Sequence, residues 1–139
     1  MAHELFLDAS YAIALGSARD QHHAQAVDLA RKIEADQTRL VTTRAIVLEI
    51  GNALAKQRHR RAAVALLEAL ERDPRIEVVA ISEALYHEGW ALFRRHHDKE
   101  WGLTDCLSFV LMQQRGLTGA LTTDDHFRQA GFTALLIPE

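Results

Sequence analysis

The sequence predicts an α/β fold: a parallel sheet of short strands with helices on both faces. Two observations carry this. Short apolar runs, several rich in β-branched residues, recur along the chain: Leu5–Leu7, Leu40–Val41, Ile76–Ile81, Ala120–Leu121 and Ala134–Ile137. Between them lie longer stretches of helical composition, and strands this short and apolar alternating with helices belong to a sheet buried on both sides. In such folds ligands gather outside the carboxyl ends of the strands. A third observation is that seven glycines and two prolines leave no room for long linkers.

Taken in order, Leu5, Phe6 and Leu7 form a strand that ends at Asp8. Helical composition follows over Ala9–Leu15 and over Gln21–Glu34, where Ala26, Leu29, Ala30 and Ile33 recur at intervals of three and four. Leu40 and Val41 make a second strand, ending in Thr42–Thr43. Helices are expected over Ala45–Gln57 and Arg61–Glu71, with a break at Asp73–Pro74, because proline disfavours helix in the residue before it. The β-branched run Ile76, Val78, Val79, Ile81 is a third strand. Ser82–Glu83 opens a helix to about Arg95, and Thr104 opens another to about Arg115, with Gly116 as its C-cap. Strand Ala120–Leu121, a short helix after Asp124 and a last strand near Ala134–Ile137 complete the chain.

Residues 1–139 are read as one domain, with an ordinary 48% hydrophobic and 25% charged composition. A net charge of −3 argues against a general polyanion binder while leaving room for local basic patches. The lone Cys106 rules out an intramolecular disulfide and fits a reducing compartment. The N-terminal MAHELFLDASYAIAL has no Lys or Arg before its apolar run, which Glu4 and Asp8 interrupt, so it is not read as a signal peptide. No run of about 18 apolar residues offers a membrane span, and a cytoplasmic location is expected.

Four acids stand out by position: Asp8 and Asp124 after strands, Glu49 within a helix, and Asp105 in a helix's first turn. Each has a structural explanation. Asp8 and Asp124 would serve as N-caps, and Asp105, after Thr104, would complement the helix dipole. Glu49 lies at the edge of the apolar face defined by Ile46, Val47, Ile50 and Leu54, where a carboxylate wants a cation or hydrogen-bond donors. The Asp105 helix is apolar almost all round from Cys106 to Met112, so it is buried in the core or in a subunit interface. Carboxylates converging at one sheet edge repel one another unless a cation neutralises them. Hard oxygen ligands suit Mg²⁺ or Mn²⁺, and such an ion activates water and stabilises charge on a phosphate. Metal-assisted phosphodiester hydrolysis is the chemistry this suggests.

FLDASYAIAL at 6–15, VLEIGNAL at 47–54, LTDCLSFVL at 103–111 and ALTTDDHF at 120–127 occur in this order along nearly the whole chain. Together they resemble the PIN domain family, and within it the VapC-type toxins of bacterial toxin–antitoxin pairs. The resemblance implies a three-layer α/β/α fold with a mainly parallel sheet of about five strands. It also implies an Mg²⁺- or Mn²⁺-dependent endoribonuclease blocked by a cognate antitoxin, which would insert an Arg or Lys among the carboxylates. By position, Asp8, Glu49, Asp105 and Asp124 match the family's catalytic, metal-binding acids, and Thr122 matches a hydroxyl residue beside the last of them. In the pattern T-x-D-x-H-F, Asp125 falls on a variable position and is read as a solvated charge. His126 and Phe127 are read as packing or capping the junction, with no base role for His126.

Thr104 and Asn52 are further supporting candidates, Asn52 for positioning water or phosphate. The pairs His22–His23 and His96–His97 are expected to face solvent, because neighbouring helical side chains diverge by about 100°. Cys106 is expected to be a small buried thiol. Two basic stretches, KQRHRR at 56–61 and RRHHDK at 94–99, are either solvated helix ends or contacts to an RNA backbone. Trp90, Trp101 and Tyr86 are either core or platforms for an unpaired base. A homodimer is expected through the apolar 105–112 helix. Two rivals stand beside the nuclease: a catalytically weak RNA- or protein-binding module of the same fold, and a receiver-like regulator. The regulator would want a pocket lysine where this chain has His126.

Overall fold

A computed structural model describes residues 3–138. Met1, Ala2 and Glu139, part of the expected domain 1–139, lie outside the described residues. The order is β1 (Glu4–Leu7), α1 (Ala9–Gly16), α2 (His23–Asp36), β2 (Arg39–Thr43), α3 (Arg44–Ala53), α4 (Gln57–Arg72), β3 (Ile76–Val79), α5 (Glu83–Arg95), α6 (Leu103–Arg115), β4 (Gly119–Leu121), α7 (Asp125–Gln129) and β5 (Thr133–Ala134). The five strands form one sheet in the order β3-β2-β1-β4-β5, and every pairing is parallel. Helices flank it, α1 to α4 packing among themselves and α5 to α7 among themselves, so the expected three-layer α/β/α arrangement is the one found.

The chain winds outward from β1 through β2 to β3, then returns to the other side of β1 with β4 and β5. The winding direction therefore reverses between β1 and β4. Phe6 pairs with Ala120 and Leu7 with Leu121, which brings the carboxyl ends of these two strands side by side. The crevice beyond such a reversal is where open α/β sheets bind ligands.

Two expected helix boundaries are corrected. The helix expected to run to Gln57 ends at Ala53, and the one expected to start at Arg61 starts at Gln57. No glycine or proline marks the break. Leu54 leaves helical geometry at φ −109° and Lys56 is extended, while Arg60 donates to the carbonyl freed at Ala55, at 2.7 Å. The alanines and polar residues there favour helix, and tertiary packing overrides that weak preference. The last strand is shorter than expected, Thr133–Ala134, although Leu135 and Leu136 still donate backbone bonds to Ala120 and Thr122.

The apolar α6 resolves in favour of the core. Cys106 through Met112 are all buried within this chain. The expectation of a dimer through α6 therefore loses its basis, because these residues have no face left to offer. The neighbouring α5 approaches closely at Gly89, where an added Cβ would stand 2.6 Å from Leu107 Cδ2. Among the described residues no helix is long and apolar enough to cross a membrane.

Candidate active site

Asp8 follows β1 directly and is buried, at 6% exposure. It occupies the N-cap position of α1 but makes no capping bond with its side chain. Its Oδ2 instead accepts hydrogen bonds from Thr122 Oγ1 at 2.6 Å and Ser10 Oγ at 3.0 Å. Thr122, fully buried just after β4, also accepts from the Asp124 N–H at 2.9 Å. The Ser10 hydroxyl accepts from the Thr123 N–H at 3.0 Å. The two hydroxyls thus bind the end of β1 to the end of β4 and fix one carboxylate at the reversal point.

Asp105, in the first turn of α6, accepts through Oδ2 from the Gly102 N–H at 3.1 Å and from His126 Nδ1 at 3.0 Å. Asp124 caps α7, its Oδ1 accepting from the His126 N–H at 2.9 Å, and the same oxygen lies 3.4 Å from His126 Nδ1. The capping reading of Asp124 holds, and its carboxylate also stands beside Asp105 and His126. One potential ligand atom from each of Asp105, Asp124 and His126 lies within 4.8 Å of the others. Glu49 lies on α3, exposed and outside that trio. Thr43 caps that helix by accepting from the Ile46 N–H at 3.2 Å, and Thr42 donates to the Leu7 carbonyl at 2.7 Å. These adjacent threonines fix the start of the Glu49 helix against the end of β1.

Burial pushes the Asp8 carboxyl above its ordinary value; the Thr122 and Ser10 bonds oppose this in part, and the charge of Asp105 adds to it. The Asp105 carboxyl is also raised, first by burial, against the lowering effect of Gly102 and His126 and with Asp124 adding to the rise. Glu49 is exposed by surface area, yet its carboxyl is raised too, by lost solvent on the protein side and then by the charges of Asp8, Asp105 and Asp124. Among the described residues no Lys or Arg pairs with any of these four acids; His126 is the one basic side chain in contact. Desolvated carboxylates that repel one another and lack a resident cation suit a hard divalent ion.

His126 is the residue that sequence reasoning underrated. Expected to pack or cap, it turns its ring nitrogen toward two of the acids. Ser10 was missed altogether; its signal was a hydroxyl two residues after the acid that ends the first strand. Thr104 is half-buried, and its carbonyl accepts from Ser108 Oγ at 3.1 Å. Asn52 is exposed on α3, one turn beyond Glu49. Asp125 is the expected solvated charge, 64% exposed at its side chain and near Arg128. His97 faces solvent as expected, but His23 binds the Ala14 carbonyl at 2.8 Å and the His96 ring lies 4.8 Å from Trp101.

Cys106 is fully buried, and burial followed by the Asp105 charge pushes its thiol up to about 11. Trp101 is core, its indole N–H donating to Gln129 at 3.0 Å. Trp90 and Phe93 are exposed on α5, their rings stacked at 5.8 Å, and they line a groove with Arg94, His97, Lys99 and, at its floor, Cys106. None of the four acids lines this groove. A separate apolar cavity of about 160 Å³, among Leu7, Tyr11, Leu15, Leu66 and Leu70, is lined by none of the four acids.

A parallel sheet with acids near its reversal point defines an α/β domain whose candidate site is built chiefly of carboxylates. The PIN domain model matches residues 5–133. The chain belongs to the PIN domain family. Two curated relatives from two strains of Mycobacterium tuberculosis, each named 23S rRNA-specific endonuclease VapC20, are 31% identical over 129 residues, 92% of this chain and 95% of the relative. The crystal structure of M. tuberculosis VapC20, described as a sarcin-ricin loop cleaving toxin, superposes with a TM-score of 0.81 at 28% identity, covering 93% of this chain and 96% of that one. VapBC2 from Rickettsia felis, bound to a DNA fragment from its promoter, gives 0.67 at 12% identity over 94% of this chain and 96% of that one, a likeness of fold alone.

Proposed function

We propose that this chain acts, as a single domain, as a metal-dependent endoribonuclease and as the toxin of a type II toxin–antitoxin pair. The observation that carries the reading is the set of acids itself: Asp8 and Asp105 desolvated near the strand ends, Asp124 capping α7 beside Asp105, Glu49 raised by burial and by the charges of all three, and, among the described residues, no Lys or Arg paired with any of them. Membership of the PIN family and the likeness to VapC20 support the reaction class. The named relatives act on 23S rRNA and on its sarcin-ricin loop, so RNA is the substrate class and an RNA carrying that loop is the first to try.

In this reading Asp8, Asp105 and Asp124, with Glu49, would hold a divalent ion, Mg²⁺ or Mn²⁺. The chemistry supplied by the bound ion is an activated water and neutralisation of charge on the phosphate. Thr122 keeps Asp8 in place, and Ser10 supports Thr122. Asn52 and Thr104 border the site, Asn52 as a contact for water or phosphate. Arg94, His97 and Lys99 supply backbone contacts, and Trp90 with Phe93 a platform for an unpaired base. No protein nucleophile is assigned, since the Cys106 thiol is buried and pushed up to about 11.

The antitoxin is proposed to block the acids with a cation of its own, next to exposed Leu48 on α3. The place of action is the cytoplasm, where the RNA is. A homodimer is the other partner proposed. Its support is the exposed row Tyr86, Trp90 and Phe93 on α5, and sedimentation with and without RNA tests whether a second copy or the RNA covers that row.

The deciding experiment incubates purified protein with an RNA panel in Mg²⁺, Mn²⁺ or chelator. Cleavage that needs the ion and disappears in Asp8→Asn supports the enzyme. Ion-dependent RNA or antitoxin binding without cleavage favours the inert module instead, and equal cleavage by the variant refutes the proposed site.

A further inference from the structure

We propose that His126 is itself a ligand of the divalent ion, through Nδ1, and that this nitrogen makes the centre prefer a transition-series ion such as Mn²⁺ over Mg²⁺. The inference rests on the reading above that the carboxylates hold a divalent ion, and it adds a donor that the four acids leave out.

The ring nitrogen lies 3.0 Å from Asp105 Oδ2 and 3.4 Å from Asp124 Oδ1. Two donors in neighbouring positions on an octahedral ion with bonds of about 2.1 Å stand roughly 3.0 Å apart. The spacing is therefore that of a donor set as well as that of a hydrogen bond. In the metal-free chain Nδ1–H donates to Asp105, since a carboxylate only accepts. The other neutral tautomer, with its proton on Nε2, frees the same nitrogen to coordinate.

Three features hold the ring in position. The His126 N–H is tied to Asp124 at 2.9 Å, Asp105 is tied to the Gly102 N–H at 3.1 Å, and the neighbouring Phe127 is fully buried. A histidine that only capped or packed would have no need to aim Nδ1 at two acids. The side chains of His126, Asp105 and Asp124 are 29%, 18% and 36% exposed, so the group is accessible to an ion from solvent. Imidazole nitrogen suits transition ions, whereas Mg²⁺ takes oxygen and keeps its waters.

The test is pulsed electron paramagnetic resonance on Mn²⁺-loaded protein, prepared with ¹⁴N- or ¹⁵N-histidine. Nitrogen coupling that follows the isotope and vanishes in His126→Gln is expected. Bound Mn²⁺ without such coupling, or coupling that survives the substitution, overturns the proposal. Calorimetry adds a second readout. His126→Gln is expected to lower Mn²⁺ affinity roughly tenfold or more and Mg²⁺ affinity much less, whereas equal losses for both ions would reduce His126 to a positioning residue and overturn the proposal. His126→Asn replaces the glutamine variant if that one does not fold. Failure of the underlying reading looks different: no Mn²⁺ is bound at all, and no RNA is cut with any ion.

Discussion

Thr122 shows how much of the site depends on one hydroxyl. It donates to Asp8 at 2.6 Å and accepts from the Asp124 N–H at 2.9 Å, so it couples the acids of two strands. Thr122→Val keeps the shape but leaves a buried carboxylate and an amide short of a partner, at a cost of about 1–3 kcal/mol. Divalent-ion affinity measured by calorimetry is expected to fall about 10- to 100-fold, as when an outer-shell partner is removed. An unchanged affinity would deny Thr122 its role.

The raised carboxyls of Asp8, Glu49 and Asp105 also set a direction for pH. A carboxyl raised on folding is deprotonated first in the unfolded chain. Stability therefore falls as pH climbs from the ordinary carboxylate range through the folded value. In chelator, the native protein should lose stability relative to Asp8→Asn as pH rises above the ordinary carboxylate value of about 4. Saturating Mn²⁺ should reverse the loss in the native protein and do much less for the variant. Thermal melts at several pH values check this, and a native protein that gains on the variant as pH rises would contradict it.

At the scale of elements, the acids are only as well placed as the turns that carry them. Helix α7 has five residues, too short to stand without tertiary packing. Phe127 anchors it, with ring centroids 6.0 Å from Phe6 and 5.0 Å from Phe109. Phe127→Ala should cost about 3–5 kcal/mol in denaturant unfolding. It should also weaken ion binding under conditions where the protein is still folded, because Asp124 and His126 lose their support. A destabilised variant with native ion affinity would show that α7 keeps its geometry unaided.

Over the whole molecule, a chain of net charge −3 needs its cations gathered in one place to hold a polyanion. Arg94 and Arg95 at the end of α5 form no ion pair among the described residues and lie beside the groove that Trp90 and Phe93 line. Replacing both with alanine should reduce the slope of log affinity for single-stranded RNA against log salt by about 1.4, given about 0.7 per phosphate contact. Mn²⁺ binding should be unaffected. A slope that does not change would mean that the RNA takes another path across the surface.

Pattern alone determined the covered parallel sheet and its five short strands, because apolar periodicity is a local signal, and it singled out Asp8, Glu49, Asp105 and Asp124 as acids in unusual places; their grouping as one candidate site came from the resemblance to the PIN domain family. The break at Leu54–Lys56 carried no such signal, since helix-favouring residues run through it and only packing ends the helix. The burial of α6 within its own chain was likewise undecided, because an apolar helix reads the same whether it meets its own core or a partner. The turn of His126 toward Asp105, 21 residues earlier in the chain, belongs to tertiary structure alone. It depends on the α6 terminus and the α7 cap meeting beyond the strand ends, and no local pattern encodes a contact between segments that far apart.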